Sequence, residues 1–377
     1  MTGGPNTLIT KAFDKNRLRQ AREFKMLSKQ ALADLIGVSA AAVSQYESGS
    51  SSPRPELIPV LAQRLDVRPE FFVSGRPQMH LPVNQAFFRS LRSTTAKQRL
   101  KATAYTEQLW ELVEAVESHV RLPEVALPGF AGGEIAPGSI PSDPVAAAQA
   151  LRRAWRLGFG PVPHIVRLLE SKGVVVAIAS EGADGVARID AFSTLCFARP
   201  LVVLSLDRKD DVFRYRYTAA HELGHLVLHE DAAGGDPTIE REANRFAAEF
   251  LTPARSINPL LPARVDFKRL LSLSAEWGVS VKSLIYRGQE VGLYSEATAR
   301  RAYIRLNELT LQGLIPSHPV RNYPGEVPGM LRQAVDLAAT NGVSIHMLAK
   351  QLAWKPEHLC QMLGVADERP VLHLVRN

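Results

Sequence analysis

The sequence predicts a multidomain, mostly α protein: an all-α N-terminal domain, an α+β middle domain and a helical C-terminal region. Three observations predict it. Helical periodicity broken by a turn glycine fills the first 75 residues. Short apolar runs between residues 174 and 206 read as strands, and two amphipathic helices follow them. A stretch rich in Pro and Gly begins at Leu122 and divides the two patterns. A length of 377 residues fits two or three domains. The boundaries expected are 8–75, a helical connector and linker over 76–142, 143–290, and 291–377.

Composition excludes several classes. At 46% hydrophobic and 22% charged the chain is an ordinary globular protein. No apolar run approaches the ~20 residues of a membrane helix. The N-terminus does not read as a signal peptide, so a cytoplasmic protein with no membrane partner is expected. Cys196 and Cys360 form neither a disulfide framework nor a metal spacing. The net charge of +7 is uneven: residues 1–76 hold 11 Lys/Arg against 7 Asp/Glu. That excess suggests nucleic acid as a partner of the first domain.

In the first domain the telling run is Leu27-Ser-Lys-Gln30 to Gly49. The pattern predicts a helix over 28–36, a tight turn at Gly37, and a second helix with Ser39 as N-cap. Ala33 is small enough for a close crossing, and Val43 packs back into it. This is a helix-turn-helix, whose second helix enters the major groove. Gly49 ends it, and a further helix runs through Leu57, Leu61 and Leu65. Leu-Ser-x-x-x-Leu-Ala-x-x-x-Gly-Val-Ser with Val-Ser-x-Tyr-Glu-x-Gly resembles the Cro/CI-type (XRE) helix-turn-helix family. The resemblance implies Gln30, Ser39, Ser44 and Gln45 as groove-facing readers of a double-stranded operator, with Arg22 on phosphate. It also implies a homodimer, because such domains read paired half-sites. In the connector a long helix is expected from Thr95 to Val120, free either to pair with another copy or to pack on its own domain.

In the middle domain, helices are expected at 145–157 and up to Gly173, and strands at 174–178, 191–197 and 201–206. The chemistry lies in His221-Glu222-Leu-Gly-His225. On a helix the two histidines leave one face, and a neutral imidazole pair is half of a tetrahedral zinc site. Glu222 beside them suits proton transfer. Thr218 is the N-cap this pattern suggests, and Leu223, Leu226 and Val227 are its apolar stripe. A third histidine with a preceding glycine would fall at 231 and 228, which are Asp231 and Leu228, so that arrangement is excluded. A glutamate from the next helix remains, and Glu240, Glu242 and Glu249 all qualify by position.

His-Glu-Leu-Gly-His followed by Glu-Ala-Asn-Arg-Phe-Ala-Ala-Glu-Phe-Leu-Thr-Pro resembles the ImmA/IrrE-type zinc metallopeptidases. The likeness covers roughly 143–290 and includes Ile189-Asp190-Ala-Phe192 and Arg199-Pro200. It implies a zincin-like α+β domain, Zn2+ as cofactor, and His221, His225 and Glu242 as its ligands. Glu222 is then the catalytic base and acid; His229, two turns on from His221, reads by position either as a partner of the ligands or as a side chain favourably placed at the helix C-terminus. Asp190, Tyr215 and Tyr217 are lesser candidates for orienting substrate or ligands.

The tail repeats a pattern, Gly278-Val-Ser280 and Gly342-Val-Ser344, each read as helix, turn, helix. Leu352, Trp354 and Leu359 there look like packing residues. The function expected is a DNA-binding transcription regulator carrying a zinc metallopeptidase that cleaves a regulatory protein, itself or a related repressor. The alternative is a repressor or antitoxin-like regulator whose zinc domain is a sensor or structural module.

Overall fold

The computed structural model describes residues 4–82, 87–88, 95–130, 135–136, 138–179, 191–205, 210–229 and 236–364. The described residues form two compact units. The first draws on 1–80, 95–121 and 331–377, the second on 81–94 and 122–330.

The first unit opens with α1 (Pro5–Lys11), α2 (Lys15–Phe24), α3 (Lys29–Ile36), α4 (Ala40–Ser48) and α5 (Leu57–Leu65). The hydroxyls of Ser28 and Ser39 accept from the amides of Ala31 and Ala42 at 3.0 and 3.1 Å, starting α3 and α4 where expected. Gly37 ends α3 at φ +72°. A Cβ there would touch nothing within 4 Å, so the left-handed conformation, not space, requires the glycine. Leu32, Ala33 and Val43 are fully buried where α3 crosses α4.

The long helix α6 (Ala96–Glu117) begins at Thr95 through a reciprocal cap with Gln98. Its apolar residues Leu109, Leu112, Val113 and Val116 are buried, and so are Glu107 and Glu111. Those two carboxylates face α2. Arg19 donates to both oxygens of Glu107 at 3.0 and 2.9 Å, Gln20 donates to Glu111 at 2.9 Å, and Arg17 pairs with Glu111. The expected connector helix therefore packs on α2 of the first unit.

The second unit holds a four-stranded sheet: β1 (Phe87–Phe88), β2 (Val175–Ala179), β3 (Ala191–Thr194) and β4 (Leu201–Ser205), in the order β1-β3-β4-β2. β2 and β4 run parallel, and β3 is antiparallel to both β4 and β1. Around it pack α7 (Pro144–Ala154), α8 (Ile165–Ser171), α9 (Val212–Leu228) and α10 (Pro237–Leu251). Then follow α11 (Ala254–Ile257), α12 (Phe267–Trp277), α13 (Val281–Glu290) and α14 (Glu296–Leu311). Helix α9 starts earlier than the sequence suggested. Asp211, not Thr218, is its N-cap, accepting from Arg214 N at 2.9 Å. Thr218 is buried inside the helix.

Two buried ion pairs tie this unit together. Arg216 of α9 pairs with Glu326 and donates to the carbonyls of Gly278 and Pro163 at 2.7 and 2.8 Å. The Glu326 carboxylate also accepts from Ile165 N and Val166 N, at 3.1 and 3.2 Å, at the start of α8. Arg287 of α13 pairs with Glu249 of α10 at 2.7 Å.

The tail divides differently from the expected single region. Its last helices, α15 (Met330–Thr340), α16 (Ile345–Gln351) and α17 (Pro356–Met362), lie almost wholly in the first unit. Both tail repeats turn as read: Gly278 and Gly342 take φ +63° and +85°, and Ser280 and Ser344 cap the helices that follow. Leu352, Trp354 and Leu359 are buried. His358 of α17 lies 2.8 Å from Gln108 Oε1 of α6. Among the described residues no helix is long and apolar enough to cross a membrane.

Candidate metal centre and nucleic-acid interface

The metal centre is set by how closely α9 and α10 cross. A Cβ on Gly224 would lie 3.2 Å from the Ala243 Cα and 3.1 Å from Phe246. Only a glycine on α9 opposite a small residue on α10 lets the backbones meet so nearly. The crossing brings a carboxylate of α10 to the histidines of α9. His221 and His225 are fully buried, with their Nε2 atoms 3.1 Å apart. Glu240 places Oε2 at 3.3 Å from His221 Nε2 and Oε1 at 3.5 Å from His225 Nε2.

Neighbouring hydrogen bonds indicate which nitrogens carry protons. The Asn244 amide donates to Glu240 O at 2.7 Å, which turns Oδ1 towards His221 Nδ1 at 3.1 Å. A carboxamide oxygen only accepts, so His221 Nδ1 is protonated and, in the neutral ring, Nε2 is bare. Tyr217 hydroxyl donates to Asn244 O at 3.1 Å and steadies this arrangement. On the other side, His229 Nε2 lies 3.0 Å from Glu242 Oε2, and His229 Nδ1 lies 3.1 Å from His225 Nδ1. If His229 donates to the carboxylate, it must accept from His225, whose Nε2 is then bare as well. Two imidazole lone pairs thus face each other beside a carboxylate, which suits a cation among them. Ligand atoms about 2.0–2.1 Å from one zinc ion in tetrahedral array stand about 3.3 Å apart. The observed separations of 3.1, 3.3 and 3.5 Å fit that set.

Burial alone would raise the Glu240 pKa, but when the two imidazoles carry protons on Nε2 their charge and hydrogen bonds outweigh it and hold the carboxyl at about 2. Burial is also the main influence on His229 and lowers its pKa, with Glu242 opposing.

The structure places Glu240, rather than the expected Glu242, beside the histidine pair. His221, His225 and Glu240 form the group able to hold a metal, and Glu242 stands outside it. The reason is helical phase. Residues 240 and 244 are one turn apart and both meet His221, whereas 242 is half a turn round and reaches His229 instead. Glu249, the other positional alternative, is committed to Arg287 and accepts from Gln149 at 2.9 Å.

Glu222 is fully buried, and Ser193 Oγ of β3 donates to its Oε2 at 2.7 Å. Sequence reasoning missed Ser193. Its signal was a pair of small polar residues, Ser193 and Thr194, ending a buried strand. Asn244 was legible as the residue one turn beyond Glu240. Tyr215 is a core residue whose hydroxyl pKa burial pushes well up. Asp190 lies outside the described residues.

In the helix-turn-helix the candidates separate. Gln30 and Gln45 are exposed on α3 and α4, Gln30 donating to Asp34 at 2.7 Å. Ser39 uses its hydroxyl as the cap of α4, and Ser44 accepts from Lys29 Nζ at 3.2 Å. Arg22 does not suit a phosphate. It is buried, bound to Glu47 at 2.5 and 3.1 Å, and donates to Leu27 O at 2.8 Å. The arginine clamps α2 to α4, because Glu47 one helix away offers it a paired carboxylate. Arg17 and Arg19 are likewise held by Glu111 and Glu107, so part of the counted positive excess points inward. Exposed cations flank α4 instead: Lys29 beside Ser44, and Lys15, whose Nζ donates to Ser48 O at 3.2 Å.

Comparison with known families agrees with both parts. Residues 169–288 match a family model described as the IrrE N-terminal-like domain of the M78 peptidases, and residues 18–72 match one described as helix-turn-helix. The chain thus combines an XRE-type helix-turn-helix with an ImmA/IrrE-like metallopeptidase domain.

Proposed function

We propose that this chain is a DNA-binding transcription regulator whose second unit is a zinc-dependent metallopeptidase. The observation that carries the catalytic half is the group of buried His221 and His225 with half-buried Glu240, and Glu222 next to His221 on the same helix. A relic would have little reason to keep a buried carboxylate oriented by Ser193 beside two bare imidazoles.

His221, His225 and Glu240 would hold the zinc ion. When bound, zinc supplies Lewis acidity, acidifying water and polarising a peptide carbonyl. Glu222 takes the proton of the attacking water and returns it to the departing amide nitrogen. The Ser193 hydroxyl donates to one Glu222 oxygen and orients the carboxylate for that transfer. Asn244 and Tyr217 keep His221 in the required tautomer.

The first unit reads a double-stranded operator through the exposed residues of α3 and α4, with the exposed Lys15 and Lys29 as the cations nearest the phosphates, Lys29 standing 3.5 Å from Glu47. Two copies on a two-fold operator fit such a reader. The substrate proposed is a regulatory protein of the cytoplasm, this chain itself or a related repressor. Cells carrying wild type or Glu222→Gln, compared by mass spectrometry of protein termini, test this. The expected result is cleaved ends of a helix-turn-helix protein in wild-type cells alone, with zinc still bound by the variant. Identical ends in both would reject catalysis and leave a zinc-bearing DNA-binding repressor or sensor.

A further inference from the structure

We propose that His229 and Glu242 are positioning residues that act through His225, forming a fixed relay from the protein surface to the metal centre. The inference rests on the reading of His221, His225 and Glu240 as a zinc site and adds to it.

The relay is visible atom by atom. Glu242 Oε2 stands 3.0 Å from His229 Nε2, and His229 Nδ1 stands 3.1 Å from His225 Nδ1. His225 Nε2 faces His221 and Glu240. A carboxylate only accepts, so the proton between Glu242 and His229 belongs to the imidazole. That leaves His229 Nδ1 with a lone pair, which takes the proton of His225 Nδ1. His225 then presents its bare Nε2 to the centre. Reversing any link would put a proton on the nitrogen that must bind the ion. The His229 ring is almost wholly buried at the C-cap of α9, which limits its rotation. The Glu242 side chain is 38% exposed, so the outer end of the relay meets solvent. The same carboxylate that fails as a ligand thereby gains a role two imidazoles away.

Zinc affinity, measured by chelator competition on the purified full chain, tests the relay, with the visible spectrum of the Co(II)-loaded protein as a second readout. His229→Ala removes the acceptor for His225 and is expected to weaken zinc binding by about ten- to a hundredfold and to alter the cobalt bands. His229→Asn puts an amide oxygen near the place of Nδ1 and is expected to restore most of the affinity and the wild-type bands. Glu242→Ala, at a half-exposed position, is expected to give a smaller loss. Wild-type affinity in His229→Ala would overturn the relay, and so would equal weakening in His229→Ala and His229→Asn, which would mean packing alone. Wild-type affinity in Glu242→Ala would remove Glu242 from it. A wild-type chain that binds no zinc would instead overturn the metal centre itself. Should His229→Ala fail to fold, the Asn and Glu242 variants still decide.

Discussion

The crossing of α9 and α10 and the crossing of α3 and α4 are built from similar parts to different ends. Each pairs two helices through small or β-branched residues: Gly224 and Ala243 in one, Ala33 and Val43 in the other. At α9–α10 the polar side chains point into the crossing, where His221, Glu222 and His225 are fully buried and interlocked with Asn244, Ser193 and His229. At α3–α4 the crossing is apolar and the candidate readers Gln30 and Gln45 stand in solvent. A buried polar group must find its partners within the protein, so structure constrains it heavily. An exposed reader finds its partner in DNA, so the free protein constrains it little. The difference predicts how each region responds to change.

The largest effect is expected where buried charge supports the second unit. Glu326→Ala leaves Arg216 without its carboxylate beneath α9 and should cost about 3–5 kcal/mol. Thermal unfolding of the full chain reads this as a marked fall in Tm, and an unchanged Tm would show the pair to be dispensable.

Next comes an effect of pH in the first unit. Burial, reinforced by Lys25, lowers the His358 pKa from 6.5 to about 4. Between those values the unfolded chain binds a proton that the folded chain refuses. The stabilising effect of a neutral His358 is complete above about pH 6.5 and is lost as pH falls towards 4, by about 3 kcal/mol. Urea unfolding from pH 7 to pH 4.5 should show that loss, and His358→Phe should reduce it. An equal slope in the variant would assign the loss to other groups.

The reader should respond in binding rather than in folding. Gln45→Ala is expected to weaken operator binding by about 1–3 kcal/mol with no change in Tm. Arg22→Ala is expected to do the reverse at equal salt, lowering Tm while leaving the salt dependence of DNA binding unchanged, because its guanidinium is bound to Glu47. A shallower salt slope in Arg22→Ala would return that arginine to the phosphate backbone. The smallest effect is Gly37→Ala, which places a Cβ in open space at φ +72° and should cost about 1 kcal/mol from backbone conformation alone.

Much of this was legible in the sequence. Turn glycines, serine caps and helical periodicity marked α3, α4 and the long α6 closely, because those signals are local. The His-Glu-x-x-His run marked the site helix for the same reason. Partner choice between helices was not legible. Glu240, Glu242 and Glu249 sit within ten residues, and only the phase at which α10 meets α9 assigns them to the histidine pair, His229 and Arg287 respectively. The role of Arg22 depended likewise on Glu47, distant in sequence. The packing of α6 on α2 depended on carboxylates that composition alone counts as surface charge, and that of α17 on α6 on contacts such as His358 with Gln108.

Zinc content of the purified full chain, compared among wild type, Glu240→Ala and Glu242→Ala, tests the central geometry most directly. The account predicts one equivalent in wild type, none retained in Glu240→Ala after dialysis against a mild chelator, and metal still present in Glu242→Ala. Metal retained in Glu240→Ala and lost from Glu242→Ala would contradict it.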